Sequence, residues 1–277
     1  MKPKKYSKKE LRECIRKMIR EQIEKTDSET HITVEGINID AGNKIVSFDD
    51  SHEENVDTSN IINPTYHTVN GYPVISIFKR KANEEKSDGN PLIYALKGIL
   101  NWKIDKTSII ELLKKFIRIS EKIKPEYDTI VVVESSNTLN TKFLHRLNKI
   151  IRAKNVITDL FYKIPASEIL TANFDGRSMP KEDAEFVHKK LRRMIKNNNI
   201  FSFKFIPKEL RYCIKKTIGM YPPETELIKY SKLINDKNVL VLDDTISSGT
   251  TISEYCKNLI DTFTPKSLTV ITLFSPI

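Results

Sequence analysis

The spacing of apolar positions changes several times along the chain, and each change marks a change of element. Between residues 7 and 25, Leu11, Ile15, Met18, Ile19 and Ile23 recur at helical spacing, with Lys and Arg over much of the remainder. That is the pattern of an amphipathic helix. From residue 31 to 78 the pattern breaks into short β-rich runs at 31–34, 44–48 and 74–78. Gly36, Gly42, Pro64 and an acidic stretch at 49–57 interrupt them. This predicts an irregular, β-rich N-terminal lobe, and the polar stretch 79–90 reads as a hairpin tip or linker.

From Pro91 onward the pattern alternates regularly. A short helix opens on Pro91, and Ser108 with Glu111 has the spacing of a capping box. The helix beyond it carries Ile109, Leu112, Leu113, Phe116, Ile119 and Ile123. The uninterrupted apolar run 130–133 reads as a strand buried on both faces. Phe143, Leu144, Leu147, Ile150 and Ile151 mark the next helix, and 156–162 a further strand. A long basic stretch follows at 165–220. Within it a helix begins at Pro180, with Ala184, Val187, Leu191 and Met194 on its core face. A helix from about Pro223, a strand at 239–243, a helix at 250–262 and a strand at 267–274 complete the order. Strands that alternate with helices imply a parallel sheet with right-handed crossovers. In such sheets ligands sit at the carboxyl ends of the strands. Those ends are residues 134–140, Lys163 and 243–251, all of them polar.

The run 239–251 carries the most specific chemistry. Val239, Leu240, Val241 and Leu242 form a strand that ends in two adjacent carboxylates, Asp243 and Asp244. Thr245, Ile246, Ser247, Ser248, Gly249, Thr250 and Thr251 follow, and Ile252, Tyr255, Cys256 and Leu259 then recur at helical spacing. Unpaired backbone N–H groups at a helix start, hydroxyl donors beside them and one glycine for close backbone approach make a cradle for a phosphate monoester. The paired acids are acceptors for a vicinal diol. Together they describe a site for ribose 5-phosphate. No Gly-Lys-Ser/Thr follows, so this is not a Walker loop, and a single glycine is not a dinucleotide fingerprint.

All thirteen positions resemble the PRPP-binding signature of the type I phosphoribosyltransferases. The resemblance implies an α/β fold: the parallel-sheet core of that family at 91–277, a β-rich lobe with the basic helix at 1–90, and a helical insertion or lid at about 165–220. Any hood that recognises a base is then expected from residues 1–90. It implies that Thr245, Ser247, Ser248, Gly249, Thr250 and Thr251 hold the 5′-phosphate. Ser135, Ser136, Asn137 and Thr138 stand where the family binds pyrophosphate, without the glycine or arginine usual there. Asp243, Asp244, Lys163 and Arg177 form the implied catalytic set. The implied reaction is transfer of ribose 5-phosphate from PRPP to a nucleophile, a nucleobase or related amine, with release of pyrophosphate. Mg²⁺ would travel with the PRPP, and no dedicated protein metal site is expected. The segments 90–97 and 127–133 also resemble, more weakly, the ComF-like competence proteins. The alternative is a non-catalytic member of the fold that binds PRPP or a nucleotide and acts on nucleic acid or a partner protein.

Composition narrows the classes further. Hydrophobic residues make up 39% of the chain and charged residues 30%, the balance of a soluble globular protein. No apolar run approaches membrane-spanning length, and the basic N-terminus lacks the apolar core of a signal peptide. Cys14, Cys213 and Cys256 are scattered and odd in number, which fits a reducing, cytoplasmic setting. The net charge of +10 is uneven: residues 1–25 carry +6 and residues 177–216 carry +8. Such segments suit a phosphorylated substrate or weak, non-specific nucleic-acid binding, and equally the wet faces of packed helices. A homodimer is left open.

Overall fold

The computed structural model describes residues 37–48, 56–80, 91–123, 126–134, 138–197, 201, 206–221, 224–246 and 249–276. The helix expected at 7–25 and the strand at 31–34 lie outside them. The chain is mixed α/β with a mostly parallel central sheet, and it divides into two compact units. Residues 1–65, 77–122 and 276–277 form the first, and 66–76 with 123–275 the second.

In the first unit, β1 (Asn38–Asp40) pairs antiparallel with β2 (Ile45–Ser47), and β2 pairs in parallel with β6 (Lys103–Ile104). Helices α1 (Pro91–Lys97) and α2 (Lys106–Ser120) belong to this unit rather than to the larger one. The start of α2 differs from the expected capping box. Asp105 is the cap, accepting from the Ser108 N–H at 2.9 Å, while the Ser108 hydroxyl accepts from the Phe48 N–H at 3.1 Å. An aspartate one turn ahead satisfies the orphan donors first. Leu112, Phe116 and Ile119 then face the core at helical spacing.

The second unit holds the central sheet. Its parallel heart runs β12 (Ser267–Pro276), β11 (Asn238–Thr245), β7 (Thr129–Val132) and β8 (Asn155–Ile157). Ile130, Val131, Leu240, Val241, Val270 and Ile271 are fully buried, as continuous apolar strands covered on both faces should be. β4 (Thr65–Val69) and β5 (Tyr72–Arg80) form a hairpin, and β5 adds to the sheet beside β12. Its turn is Asn70-Gly71, both at positive φ, a tight hairpin dipeptide of strong turn preference. β5 continues into the first unit, where β3 (Val56–Asp57) pairs with its last residues.

The strand expected over 156–162 is two strands. β8 stays in the central sheet, and the chain bends at 158–160 into β9 (Phe161–Lys163). β9 pairs antiparallel with β10 (Ile218–Met220), outside the main sheet. Between these strands the basic stretch folds as a helical insertion with its own apolar core. Ile164, Ile169, Val187, Leu191, Met194, Cys213 and Ile214 make up most of it. Its elements are α4 (Ala166–Glu168), a π-helical turn at Ile169–Asn173 and α5 (Lys181–Lys196). The connecting helices of the central sheet are α3 (Leu139–Ile151), α6 (Leu227–Ile234) and α7 (Thr250–Thr262). Among the described residues no helix is long and apolar enough to cross a membrane.

Candidate functional site at the end of the central strand

The two ladders that flank β11 end at different heights. β12 stays paired with it as far as Thr245, opposite Phe274, whereas β7 stops opposite Leu242. Past that point Val133 gives one more bond, its N–H reaching the Leu242 carbonyl at 2.9 Å. Beyond Leu242, β11 thus keeps its β12 partner while its β7 ladder has ended, and Asp243 lies at this carboxyl end of the sheet. This is where ligands collect in open α/β folds.

Asp243 is held by Oδ1. That oxygen accepts from the Asp244 N–H at 2.9 Å and from Asn140 Nδ2 at 3.3 Å. Among the described residues no hydrogen bond to Oδ2 accompanies these. Burial, with the Asp244 carboxylate behind it, pushes Asp243 up to about 6, while the Lys163 ammonium and the Asn140 amide pull it down. These are opposed effects of desolvation, like charge and charge-stabilising bonds. Asp244 is 4% exposed.

Asn140 was not singled out by the sequence pattern, which marks 134–140 as polar without showing which member turns inward. It stands in the first turn of α3 and is 3% exposed. Nδ2 also donates to the Val133 carbonyl at 2.9 Å, while Oδ1 is buried with no hydrogen-bond partner.

Lys163 ends β9, opposite Ile218. Its N–H donates to Glu134 Oε2 at 2.9 Å, and the Tyr221 hydroxyl donates to Glu134 Oε1 at 2.9 Å. Glu134 thus ties the end of β7 to the β9–β10 ladder. Gly219 leaves room for the Tyr162 ring across the ladder, since a Cβ there would lie 2.3 Å from it and force the ring to move. On the far side, Glu254 of α7 accepts from the Thr217 and Ile218 N–H groups at 2.6 and 2.9 Å, and from the Thr217 hydroxyl.

Gly249 opens α7 at φ +75°. A Cβ there would fall 2.2 Å from Val69 Cγ1, so the turn needs glycine both for its backbone conformation and for room. The β4–β5 turn is fastened to the first turn of α7. Asn70 Nδ2 donates to Ser253 Oγ at 2.7 Å, and Ser253 Oγ donates to the Gly249 carbonyl at 2.8 Å. Thr245 Oγ1, at the start of the loop, is buried with no hydrogen-bond partner among the described residues. Thr250 and Thr251 begin the helix, half-buried. Beneath, the Tyr255 hydroxyl donates to the Val132 carbonyl at 3.0 Å, and burial holds it far above the usual phenol range.

The arrangement thus gathers Asp243, Asp244, Asn140, Lys163, Thr245 and Gly249 around one strand end. Ser247, Ser248, Ser135, Ser136 and Asn137 lie outside the described residues. Thr138 is described, exposed at the N-cap of α3, with no side-chain capping bond. Arg177 stands in a separate, open cavity of about 630 Å³ lined by Phe174, Asp175, Gly176, Arg177, Ser178 and Lys215. Asp175 accepts from the Arg177 N–H at 3.2 Å and pairs with Lys215 at 3.3 Å, and that lysine is the main reason its carboxyl lies below the usual range. The segment is stitched down by Asp175 N–H to the Cys213 carbonyl at 2.9 Å and Lys215 N–H to the Asn173 carbonyl at 2.8 Å. No protein-family model matches the chain, and no curated protein matches it.

Proposed function

We propose that the protein is a type I phosphoribosyltransferase that uses PRPP and Mg²⁺ to pass ribose 5-phosphate to a nucleobase or related amine, with release of pyrophosphate. One observation carries this reading. The central strand of a parallel sheet ends in two carboxylates, one of them held by a single oxygen, and leads through a hydroxyl-rich loop to a helix that opens on a left-handed glycine. Acceptors for a diol and N–H donors for a phosphate monoester then lie a few residues apart.

In this reading Asp243 and Asp244 take the sugar hydroxyls and offset positive charge as it develops on the ring. The 245–251 loop holds the 5′-phosphate, and Lys163 faces the leaving pyrophosphate. Mg²⁺ carried on the substrate would supply charge neutralisation at the pyrophosphate, while Asp243 and Asp244 hold the sugar. The rate would come from positioning and fixed charge, because PRPP already has a good leaving group.

The packed insertion favours a second reading. Arg177 and the residues around it are fixed by bonds within the insertion, which suits a binding protein of the same fold that holds PRPP or a nucleotide without turnover. Calorimetry with PRPP and Mg²⁺ on the wild type and on D243N/D244N tests the shared site. Binding is expected for the wild type and a loss of at least about 100-fold for the double variant. Unchanged affinity in the folded double variant would rule out the diol assignment. Exchange of labelled pyrophosphate into PRPP in the presence of candidate bases separates the enzyme from the binder.

A further inference from the structure

The side-chain amide of Asn140 has a fixed orientation and an unused half. Both groups near its nitrogen are acceptors: the Val133 carbonyl at 2.9 Å and Asp243 Oδ1 at 3.3 Å. Only the NH₂ side can face them, so the amide cannot be turned over. Its Oδ1 is consequently left buried, on a residue 3% exposed, with nothing among the described residues donating to it. Buried amide oxygens are rarely left so, because the lost hydration is not recovered. The neighbouring Asp243 has a similar vacancy, since among the described residues both of its hydrogen bonds fall on Oδ1. Thr245 Oγ1, two residues along the same strand, is a further buried oxygen without a partner. Unused polar atoms therefore cluster at one strand end, and Asn140 Oδ1 can only accept.

We propose that Asn140 is a sugar-binding residue of this site, its Oδ1 accepting a hydrogen bond from one ring hydroxyl of a pentose 5-phosphate. The same amide holds Asp243 for a neighbouring hydroxyl through Nδ2. Discrimination between ribose and a deoxyribose would then reside partly in α3, not only in the acidic pair. This rests on the pentose-phosphate reading above.

The test uses the full chain with ribose 5-phosphate and its 2-deoxy and 3-deoxy analogues. The wild type is expected to bind ribose 5-phosphate and to reject one analogue by about ten-fold or more, the worth of one well-placed hydrogen bond. In Asn140→Ala that rejection should collapse toward one-fold, whereas a residue that merely supports Asp243 would weaken all three ligands alike. A folded Asn140→Ala protein that keeps its full discrimination against both analogues overturns the proposal and leaves the pentose-phosphate reading standing. A wild type that binds neither ribose 5-phosphate nor PRPP overturns both. Should Asn140→Ala not fold, the side-chain ¹⁵NH₂ signal of Asn140 in the wild type decides, assigned with the isosteric Asn140→Asp. It should shift with ribose 5-phosphate and not with the rejected analogue, and no shift at saturation counts against the proposal.

Discussion

Two carboxylates side by side at the end of a buried strand repel each other and lose hydration, and the fold tolerates this at Asp243 by giving Oδ1 two donors. The tolerance is incomplete, since its pKa stands near 6 against an ordinary 3.8. A raised carboxyl pKa means the folded state binds the proton more tightly than the unfolded chain. Wild-type stability should therefore fall as pH rises from about 4 to about 6 and stay lowered above that. Asp243→Asn removes the charge and keeps an oxygen for the two donors. It should raise stability at pH 7.5 by about 2 kcal/mol and change little at pH 4. Urea titrations at the two pH values check this, and an equal effect at both would remove ionisation as its cause. The same titration should weaken PRPP binding below pH 6, because a protonated carboxyl is a poorer acceptor for the sugar hydroxyls proposed to bind there. At Gly249 the constraint is steric. Gly249→Ala puts a methyl group into Val69 at φ +75° and should cost roughly 2 kcal/mol or more, read as a lower denaturation midpoint.

At the scale of elements, Glu254 joins α7, the helix that follows the 245–249 loop, to β10, which fixes the level of Lys163 through β9. One carboxylate thereby sets two parts of the site against each other. Glu254→Ala leaves the Thr217 and Ile218 N–H groups without acceptors and should cost about 2–3 kcal/mol. Hydrogen exchange at these two amides should speed up while the β11 amides stay protected. Uniform acceleration would mean global destabilisation instead. The elements most visible in the sequence are those with one strong period. The apolar runs of β7 and β11, the helical face of α5 and the strand–loop–helix at 239–262 all read directly. What escaped is set by tertiary neighbours. The break between β8 and β9 depends on pairing with β10, which lies more than fifty residues away. Of the β4–β5 hairpin only the run at 74–78 was legible, because β4 (Thr65–Val69) is mostly polar and half-buried, although Asn70-Gly71 was the available signal for the turn. The inward turn of Asn140 has no periodic signature, because one buried polar residue at a helix start looks like an ordinary cap until its partners are known.

On the scale of the whole chain, the charge is large and uneven. Of the net +10, residues 177–216 carry +8. α5 resolves this into geometry: Val187, Leu191 and Met194 are buried, whereas Lys189, Arg192, Arg193 and Lys196 are exposed. Glu182 and Asp183 occupy the first turn and Arg193 and Lys196 the last, as the helix dipole favours. So the apolar face accounts for the fold of the insertion, and the cationic end is left over as surface. Such an end attracts phosphates by counterion release, which makes affinity a steep function of salt. With about five phosphate contacts, the log–log slope of binding to duplex DNA should be near −4. Charge reversal of Arg192 and Arg193 to Glu should flatten it by about two contacts' worth and cost only about 1 kcal/mol of stability, through the helix dipole at Arg193, because both side chains are exposed. Filter binding between about 25 and 200 mM salt, on single- and double-stranded substrates of unrelated sequence, measures the slope. The expected result is weak binding with no sequence preference. If the wild type binds neither substrate at the lowest salt, the cationic end serves solubility or a phosphorylated small molecule, and the reading of a nucleic-acid-directed binder loses its physical basis.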